Sequence, residues 1–136
     1  MVPSVENTRL TDERGSLQIT APYPGVLLVR FVGHARAPMA NAIIVALDAA
    51  VAAHGYVIIF DDWYGATGYD SAVRLKLTDW TRRNAVELRA THVLVGSRLI
   101  AMGLSVASLA LGKHFETYSD RAQFEAALAA MAQRKE

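Results

Sequence analysis

The chain has 136 residues, 52% of them hydrophobic and 20% charged, so it is long and apolar enough to fold as one domain with its own core. Its 14 basic and 13 acidic residues nearly balance, which argues against recruitment of nucleic acid or an anionic membrane by overall charge. The absence of cysteine excludes disulfides, thiolate metal sites and a thiol nucleophile.

The first fifteen residues, "MVPSVENTRLTDERG", are polar and lack the apolar run of a secretory signal. The most apolar segment, residues 99–111, is flanked by Arg98 and Lys113 and is shorter than the roughly 20 residues that span a bilayer. We therefore expect a cytoplasmic domain over residues 16–136 behind a flexible N-terminal tail of residues 1–15, with no membrane span.

Strand and helix signals alternate along the rest of the chain. Short β-branched and aromatic runs predict strands, and apolar residues at helical spacing predict helices. The predicted strands cover residues 16–21, 25–33, 56–61, 91–96 and 114–119. The predicted helices cover residues 37–54, 69–84, 98–112 and 120–133.

The connections between these elements predict the topology of the sheet. The break "PYPG" is too short for a crossover, so the first two strands should pair antiparallel. Each of the last three strands follows a helix, so these strands should be parallel and joined by right-handed crossovers. The predicted fold class is α/β, a single domain in the order β-β-α-β-α-β-α-β-α with a mixed five-stranded sheet and about four helices.

An Asp-Ser pair opens the second predicted helix, within the stretch "GATGYDSAVR". Asp70 and Ser71 stand where free backbone N–H groups and the positive end of the helix dipole would receive an added phosphate, and Arg74 follows one turn later. The alternatives are that one of the pair merely caps the helix, or that Ser71 is a nucleophile. No nucleophile-elbow sequence surrounds Ser71, which disfavours catalysis.

The order of elements and the Asp-Ser pair together resemble the STAS domain of bacterial anti-sigma-factor antagonists, over about residues 16–133. In that family a buried strand ends in Asp, and a short loop leads to an Asp-Ser pair at the start of the second helix. Here those parts are "VIIFD", "DWYGATGY" and Asp70-Ser71. The resemblance implies that Ser71 is a regulatory phosphoacceptor, that Asp70 is the adjacent acid, and that the partner is a kinase or an anti-sigma-factor-like protein. A phosphate on Ser71 would bring negative charge close to Asp70, and we expect Asp62 to be a further nearby acid.

The chain departs from that family after the serine, where "AVR" replaces a Gly-Leu-Gly-like turn. It is equally similar to divergent STAS-like bacterial proteins, which are related in fold to lipid-binding CRAL-TRIO modules. In that branch the phosphorylatable serine is not a dependable feature. This second similarity implies a different function, binding of a small apolar ligand.

A second acidic pair, Asp61 and Asp62, follows the central predicted strand, at the edge where open α/β sheets bind ligands. Together with Asp70, this pair could hold Mg²⁺ for phosphoryl transfer, but no glycine-rich phosphate loop accompanies it. The four histidines show no metal-ligand spacing. We therefore expect Asp61 to end the strand and bond loop amides, and we expect a protein that is not an enzyme and needs no cofactor.

Two apolar features suggest a binding surface. Trp63 and Tyr64 lie beside small residues in the predicted loop and would suit a ligand lid, a partner hot spot or a plug over the sheet end. The predicted helix 98–112 is apolar on two faces, although a helix lying on a sheet needs only one. One of these faces includes Leu99, Met102 and Val106. The excess predicts deep burial, a homodimer interface or a docking surface for a regulator.

Three functions therefore compete. The leading hypothesis is a non-enzymatic regulatory module that binds a protein partner, with phosphorylation at Ser71 as its switch. The alternative is a carrier or sensor of a small lipid-like ligand, held between the sheet and helix 98–112 with Trp63 and Tyr64 at the mouth. The third is a Mg²⁺-dependent phosphoryl-transfer enzyme that uses the acidic residues.

Overall fold

A mixed sheet with helices on both faces forms the body of the protein. The computed structural model describes residues 7–96 and 115–133. The strands are β1 (Asn7–Thr11), β2 (Gly15–Tyr23), β3 (Val26–Ala35), β4 (Val57–Tyr69), β5 (Leu88–Val95) and β6 (Phe115–Tyr118). The helices are α1 (Ala37–His54), α2 (Ser71–Arg83) and α3 (Arg121–Ala130), followed by a short 3-10 helix (Met131–Gln133). The predicted helix 98–112, with Leu99, Met102 and Val106, lies outside the described residues.

The strands lie in the sheet in the order β1-β2-β3-β4-β5-β6. The pairs β1–β2 and β2–β3 are antiparallel, whereas β3–β4, β4–β5 and β5–β6 are parallel. The predicted α/β class is confirmed, as are the antiparallel first pair and the parallel remainder. The predicted number of five strands is wrong, because the described residues form six.

The additional strand, β1, lies within the segment that we expected to be a tail. A tight turn joins it to β2: the Asp12 carboxylate accepts hydrogen bonds from the backbone N–H groups of Arg14 (2.8 Å) and Gly15 (3.0 Å). Gly15 is required at this place, because a Cβ there would lie 2.4 Å from the carbonyl oxygen of Val32 on β3. The polar sequence of β1 therefore adds to the sheet through its backbone and its turn.

Strand β4 is much longer than predicted, since the expected loop over residues 62–69 continues the strand. The reason is its neighbour β3, which pairs with it as far as Ala35 opposite Tyr69. Two irregularities in the register accommodate the extra residues. As a result β4 reaches from the middle of the sheet directly to the start of α2.

Helix α1 is bounded as its sequence predicts, with a proline in its first turn and Gly55 after its end in the left-handed conformation (φ 80°). Within the described part of the chain, it is the one helix whose length and mean hydropathy (1.4 over 18 residues) would suffice to cross a membrane. A core helix of a globular domain meets the same criteria, and Met39, Ala40 and Leu47 of α1 are buried in the core.

The two faces of the sheet carry different helices. Helices α1 and α2 cover one face, where the largest cluster of buried residues lies, and the Trp80 indole of α2 donates a 2.8 Å hydrogen bond to Asp48 of α1. Helix α3 covers the other face, where its Phe124 packs edge-on against Phe60 and Tyr118. Alternate residues of the central strands therefore point into different environments.

Candidate functional site

The adjacent residues Asp61 and Asp62 lie on β4 and point to opposite faces of the sheet. Asp61 lies within the strand, paired with Val29 of β3 and Val93 of β5, and its side chain faces α1 and α2. Asp62 faces α3, where it binds Arg121. The expectation that Asp61 ends the strand and bonds loop amides is therefore wrong, and the two carboxyl groups do not share one site. Within residues 7–96 and 115–133, no group of three or more potential ligands could hold a metal ion.

Asp62 forms an ion-pair cluster that joins β3, β4 and α3. Its side chain is almost completely buried and accepts hydrogen bonds from Arg121 Nη1 (2.9 Å) and Nη2 (3.1 Å) and from Arg30 Nε (3.0 Å). The Tyr64 amide also donates to it, at 3.3 Å. Burial alone would raise the pKa of Asp62, but these hydrogen bonds lower it below its ordinary value. The Asp62 carboxylate therefore has hydrogen-bond donors within the protein for both of its oxygens, and its role is structural.

A cavity of about 110 Å³ lies on the opposite face, between the sheet and helices α1 and α2. We call it the Asp61 cavity. Most of its lining is aliphatic or aromatic, contributed by strands β2 to β6 and by helices α1 and α2, as a ligand pocket for an apolar molecule requires. Its polar lining consists of Asp61, Trp63, Tyr69, Arg74, Thr78, Thr81 and Thr91.

Two residues that line the Asp61 cavity carry a polar side-chain group with no hydrogen-bond partner among the described residues. Asp61 is only 9% exposed, and burial, with no compensating charge, raises its pKa from 3.8 to about 8. Its carboxyl group is therefore protonated at neutral pH. The indole Nε1–H of Trp63, two residues further along β4, is buried and has no hydrogen-bond partner among the residues that the structure describes. Such groups are rare in folded proteins, and each calls for an explanation.

The Asp-Ser pair lies at the rim, where β4 passes into α2. Ser71 is the first residue of α2 and is exposed, at the position that the sequence predicts. Asp70 precedes the helix, but its carboxylate does not cap it. Instead Asp70 Oδ1 lies 2.7 Å from Nε2 of His34 on β3, and this hydrogen bond, helped by the charges of Arg14 and Arg36, lowers the pKa of Asp70. The capping interpretation is therefore wrong for Asp70, and the role of Ser71 stays a prediction.

No protein-family model matches the chain, and no curated protein matches its sequence. Solved structures do match. An uncharacterised DUF3478-family protein with a SpoIIAA-like fold from Shewanella loihica has a TM-score of 0.62 at 12% identity, over 92% of this chain and 94% of the other. The unphosphorylated anti-sigma-factor antagonist SpoIIAA has a TM-score of 0.58 at 12% identity, over 82% of this chain and 96% of the other. The phosphorylated Bacillus cell-fate determinant SpoIIAA has a TM-score of 0.59 at 13% identity, over 82% and 98%.

The chain has a STAS-like fold. The resemblance predicted from the Asp-Ser pair and the order of elements is thereby confirmed at the level of the fold. At identities of 12–13%, these likenesses concern the backbone and carry over no function.

In this STAS-like domain the predicted aromatic pair is divided between the two faces. Trp63 lines the Asp61 cavity, whereas Tyr64 is 53% exposed and lies beneath the Arg121 guanidinium, 5.5 Å from the ring centre. The two rings therefore do not form one lid. Arg74 of α2 is exposed and also lines the cavity.

Sequence reasoning missed Arg30, Arg121 and His34 as partners of the acidic residues. Arg30 lies 32 residues from Asp62, and Arg121 lies 59 residues from it, so no local pattern connects them. A signal did exist for the acidic pair itself. In a strand, neighbouring residues face opposite sides, so extending the strand "VIIFD" by one or two residues would have separated Asp61 from Asp62.

Proposed function

We propose that this STAS-like protein is a non-enzymatic, cytoplasmic regulatory module that binds a protein partner, and that phosphorylation of Ser71 controls this binding. One observation supports the proposal most: Ser71 is exposed at the first position of α2, directly after the Asp70 carboxylate. The fold adds to it, because similar solved structures include SpoIIAA in both its phosphorylated and its unphosphorylated form.

The surroundings of Ser71 suit a phosphate. Because the Asp70 side chain binds His34, it leaves the amides of the first helical turn without a side-chain cap. Free amides and the helix dipole stabilise an anion at this place. Arg14 and Arg36 lie near enough to Asp70 for their charges to lower its pKa, so the rim is rich in positive charge.

A phosphate would also change what a partner meets. It carries roughly 1.5 to 2 negative charges at neutral pH and would stand beside the negative Asp70. The two groups would compete for His34, and an acidic or apolar partner surface would be repelled. Modification at one exposed hydroxyl therefore suffices to switch an interface off without a change of fold.

Phosphoryl transfer by the protein itself is disfavoured by the geometry. A Mg²⁺ site needs convergent oxygen ligands, whereas Asp61 and Asp62 face opposite sides of the sheet and Asp62 is neutralised by two arginines. The placement of Asp61, Asp62 and Asp70 therefore supports a regulatory function better than catalysis.

The modification is tested by incubating the purified protein with ATP and an extract of its source cells, then measuring intact mass and mapping the site. Ser71→Ala removes the proposed acceptor. Ser119→Ala is the matched control, because Ser119 is also exposed and stands just before a helix, α3. We expect one added phosphate on the wild type and on S119A, and none on S71A. Equal labelling of S71A, or an unmodified Ser71 in the wild type, would show that the modification part of the proposal is wrong.

The switch is tested by comparing which proteins of the same extract bind to immobilised wild type, S71A and Ser71→Asp. We expect the same bound partner with wild type and S71A, and at least about a tenfold loss with S71D, since an added charge at an interface costs more than 1.4 kcal/mol. Ser119→Asp should leave binding unchanged. Retention of the partner by S71D at the wild-type level contradicts the switch.

A further inference from the structure

The Asp61 cavity combines an apolar lining with two hydrogen-bonding residues on one strand that have no side-chain partner in the described part of the chain. Asp61 is about nine-tenths buried and lines the cavity, and Trp63, whose buried indole N–H has no partner among the described residues, lines the same space. A buried carboxyl group and a buried indole N–H without partners destabilise the folded protein, because both lose their hydrogen bonds to water. A bound molecule that supplies those hydrogen bonds accounts for both groups at once.

The two groups define the chemistry of that molecule. A protonated Asp61 donates through its hydroxyl, and Trp63 donates through Nε1–H, so the complement of the pair is an oxygen that accepts two hydrogen bonds. Residues two apart on a strand project from the same face, with their Cα atoms about 6.6 Å apart. One ligand oxygen that lies between the two side chains can accept a hydrogen bond of about 2.9 Å from each. A carbonyl or hydroxyl oxygen fits this position.

The charge of the ligand follows from the lining. Besides Asp61, the titratable or charged described residues that line the cavity are Tyr69 and Arg74, and Arg74 is exposed. A ligand carboxylate would be buried beside the Asp61 carboxyl group, and a ligand ammonium would leave the Trp63 N–H unpaired. An uncharged molecule satisfies both donors without either penalty.

The volume limits the size of the ligand. A cavity of 150 Å³ in another protein holds benzene, so one of about 110 Å³ accommodates a body of no more than about five or six non-hydrogen atoms. We propose that the Asp61 cavity binds a small, uncharged, mainly apolar molecule whose single carbonyl or hydroxyl oxygen accepts hydrogen bonds from the Asp61 carboxyl group and the Trp63 indole. This proposal does not depend on modification of Ser71.

The indole region of a ¹H–¹⁵N spectrum provides the assay, because the chain has two tryptophans. Trp63 lines the cavity, whereas the Trp80 N–H donates to Asp48 and serves as an internal reference for folding. Trp63→Phe assigns the two signals. The probes are cyclopentanone, cyclopentane, which lacks the oxygen, and cyclopentylamine, which is charged. We expect cyclopentanone to shift the Trp63 signal saturably, to leave the Trp80 signal in place, and to bind more tightly than the other two probes.

Variants of the cavity separate polar recognition from simple filling of space. Asp61→Leu keeps the approximate shape without the carboxyl group and should weaken cyclopentanone binding about three- to tenfold, the loss of one neutral hydrogen bond. Asp61→Asn still donates and accepts, so its affinity should stay within about twofold of wild type. Thr91→Val is the matched control, since it removes a different cavity hydroxyl and should change affinity by less than about twofold.

Three results would overturn the inference: no saturable shift of the Trp63 signal, binding of cyclopentane or cyclopentylamine as tight as that of cyclopentanone, or an unchanged affinity in D61L. Should D61L lose the Trp80 reference signal, Trp63→Phe takes its place, followed through the methyl signals of Leu77, which also lines the cavity. W63F must then weaken binding about three- to tenfold, and an unchanged affinity refutes the role of the indole.

Discussion

Replacing Asp61 by Asn should stabilise the domain at neutral pH, by an amount that grows with pH. Burial raises the pKa of Asp61 in the folded protein from 3.8 to about 8. Between these values the unfolded chain has lost the proton while the folded protein still keeps it. Because the pKa is raised on folding, the favourable contribution is complete below the unfolded pKa and is lost as pH rises towards 8.

The magnitude follows from the two pKa values. Each unit of difference corresponds to 1.36 kcal/mol. Because the unfolded chain ionises Asp61 first, the wild type loses about 4 kcal/mol of stability between acid and pH 7, about 5 kcal/mol by pH 8 and about 6 kcal/mol above it. Asparagine has almost the same shape and stays neutral. The difference in unfolding free energy between D61N and wild type should therefore rise by about 1.4 kcal/mol per pH unit from pH 5 to pH 8 and then level off.

Urea unfolding at intervals from pH 5 to pH 9, followed by tryptophan fluorescence, measures this difference. Other titrating groups are present in both proteins, so their contributions cancel in the difference. A difference that stays constant from pH 5 to pH 8 would show that the folded protein ionises Asp61 normally. That result would refute the reasoning from burial and would also remove the proton that the proposed ligand site needs.

Three further substitutions test the electrostatic and steric interpretation of the fold. Asp62→Asn should behave oppositely to D61N, because the lowered pKa of Asp62 contributes stability at pH values above the unfolded pKa. The variant should lose about 1.5 to 3 kcal/mol of unfolding free energy at pH 7. In acid its stability should approach that of the wild type, as measured again by urea unfolding. A loss that persists unchanged in acid would contradict the ion-pair account. Gly33→Ala should lower the unfolding free energy by about 3 kcal/mol, because Gly33 has φ 86° and a Cβ would lie 2.3 Å from the Arg14 carbonyl oxygen. Gly55→Ala, at φ 80° with nothing within 4 Å, should lose only about 1 kcal/mol, and equal losses in thermal unfolding would exclude crowding as the cause.

The order of the elements could be predicted because local chemistry determines it. The break "PYPG" could not hold a crossover, and its two flanking strands are antiparallel as expected. Pro38 and Gly55 bound α1 through their own backbone preferences. Where a few neighbouring residues decide the structure, the sequence suffices.

The extent of the strands could not be predicted, because distant partners decide it. Gly65 and Gly68 are typical of loops, yet the edge of β3 provides hydrogen bonds that keep this segment in the sheet. Gly65 lies closely over Val32, and Gly68 over His34, so both glycines allow close packing. Tertiary pairing thus overrode a local preference for turns.

The candidate sites show the same division between local and distant causes. The helix start at Ser71 was visible in the sequence because the Asp-Ser signal is local. The opposite environments of Asp61 and Asp62 were not, since they depend on β4 continuing and on Arg30 and Arg121 arriving from elsewhere in the chain. Two adjacent aspartates therefore differ in state: Asp61 is a neutral acid on one face of the sheet, and Asp62 is the centre of an ion-pair cluster on the other.

The coincidence between strand order in space and strand order along the chain bears on biosynthesis. In the described sheet, every strand is hydrogen-bonded to the one that precedes it, so none has to be inserted between two strands that are already paired. During translation each new strand can join an existing edge soon after it leaves the ribosome. The last strand formed is thus the free edge to which the next strand binds. An incomplete chain therefore does not need to hold a gap in its sheet open for a strand that has yet to be synthesised.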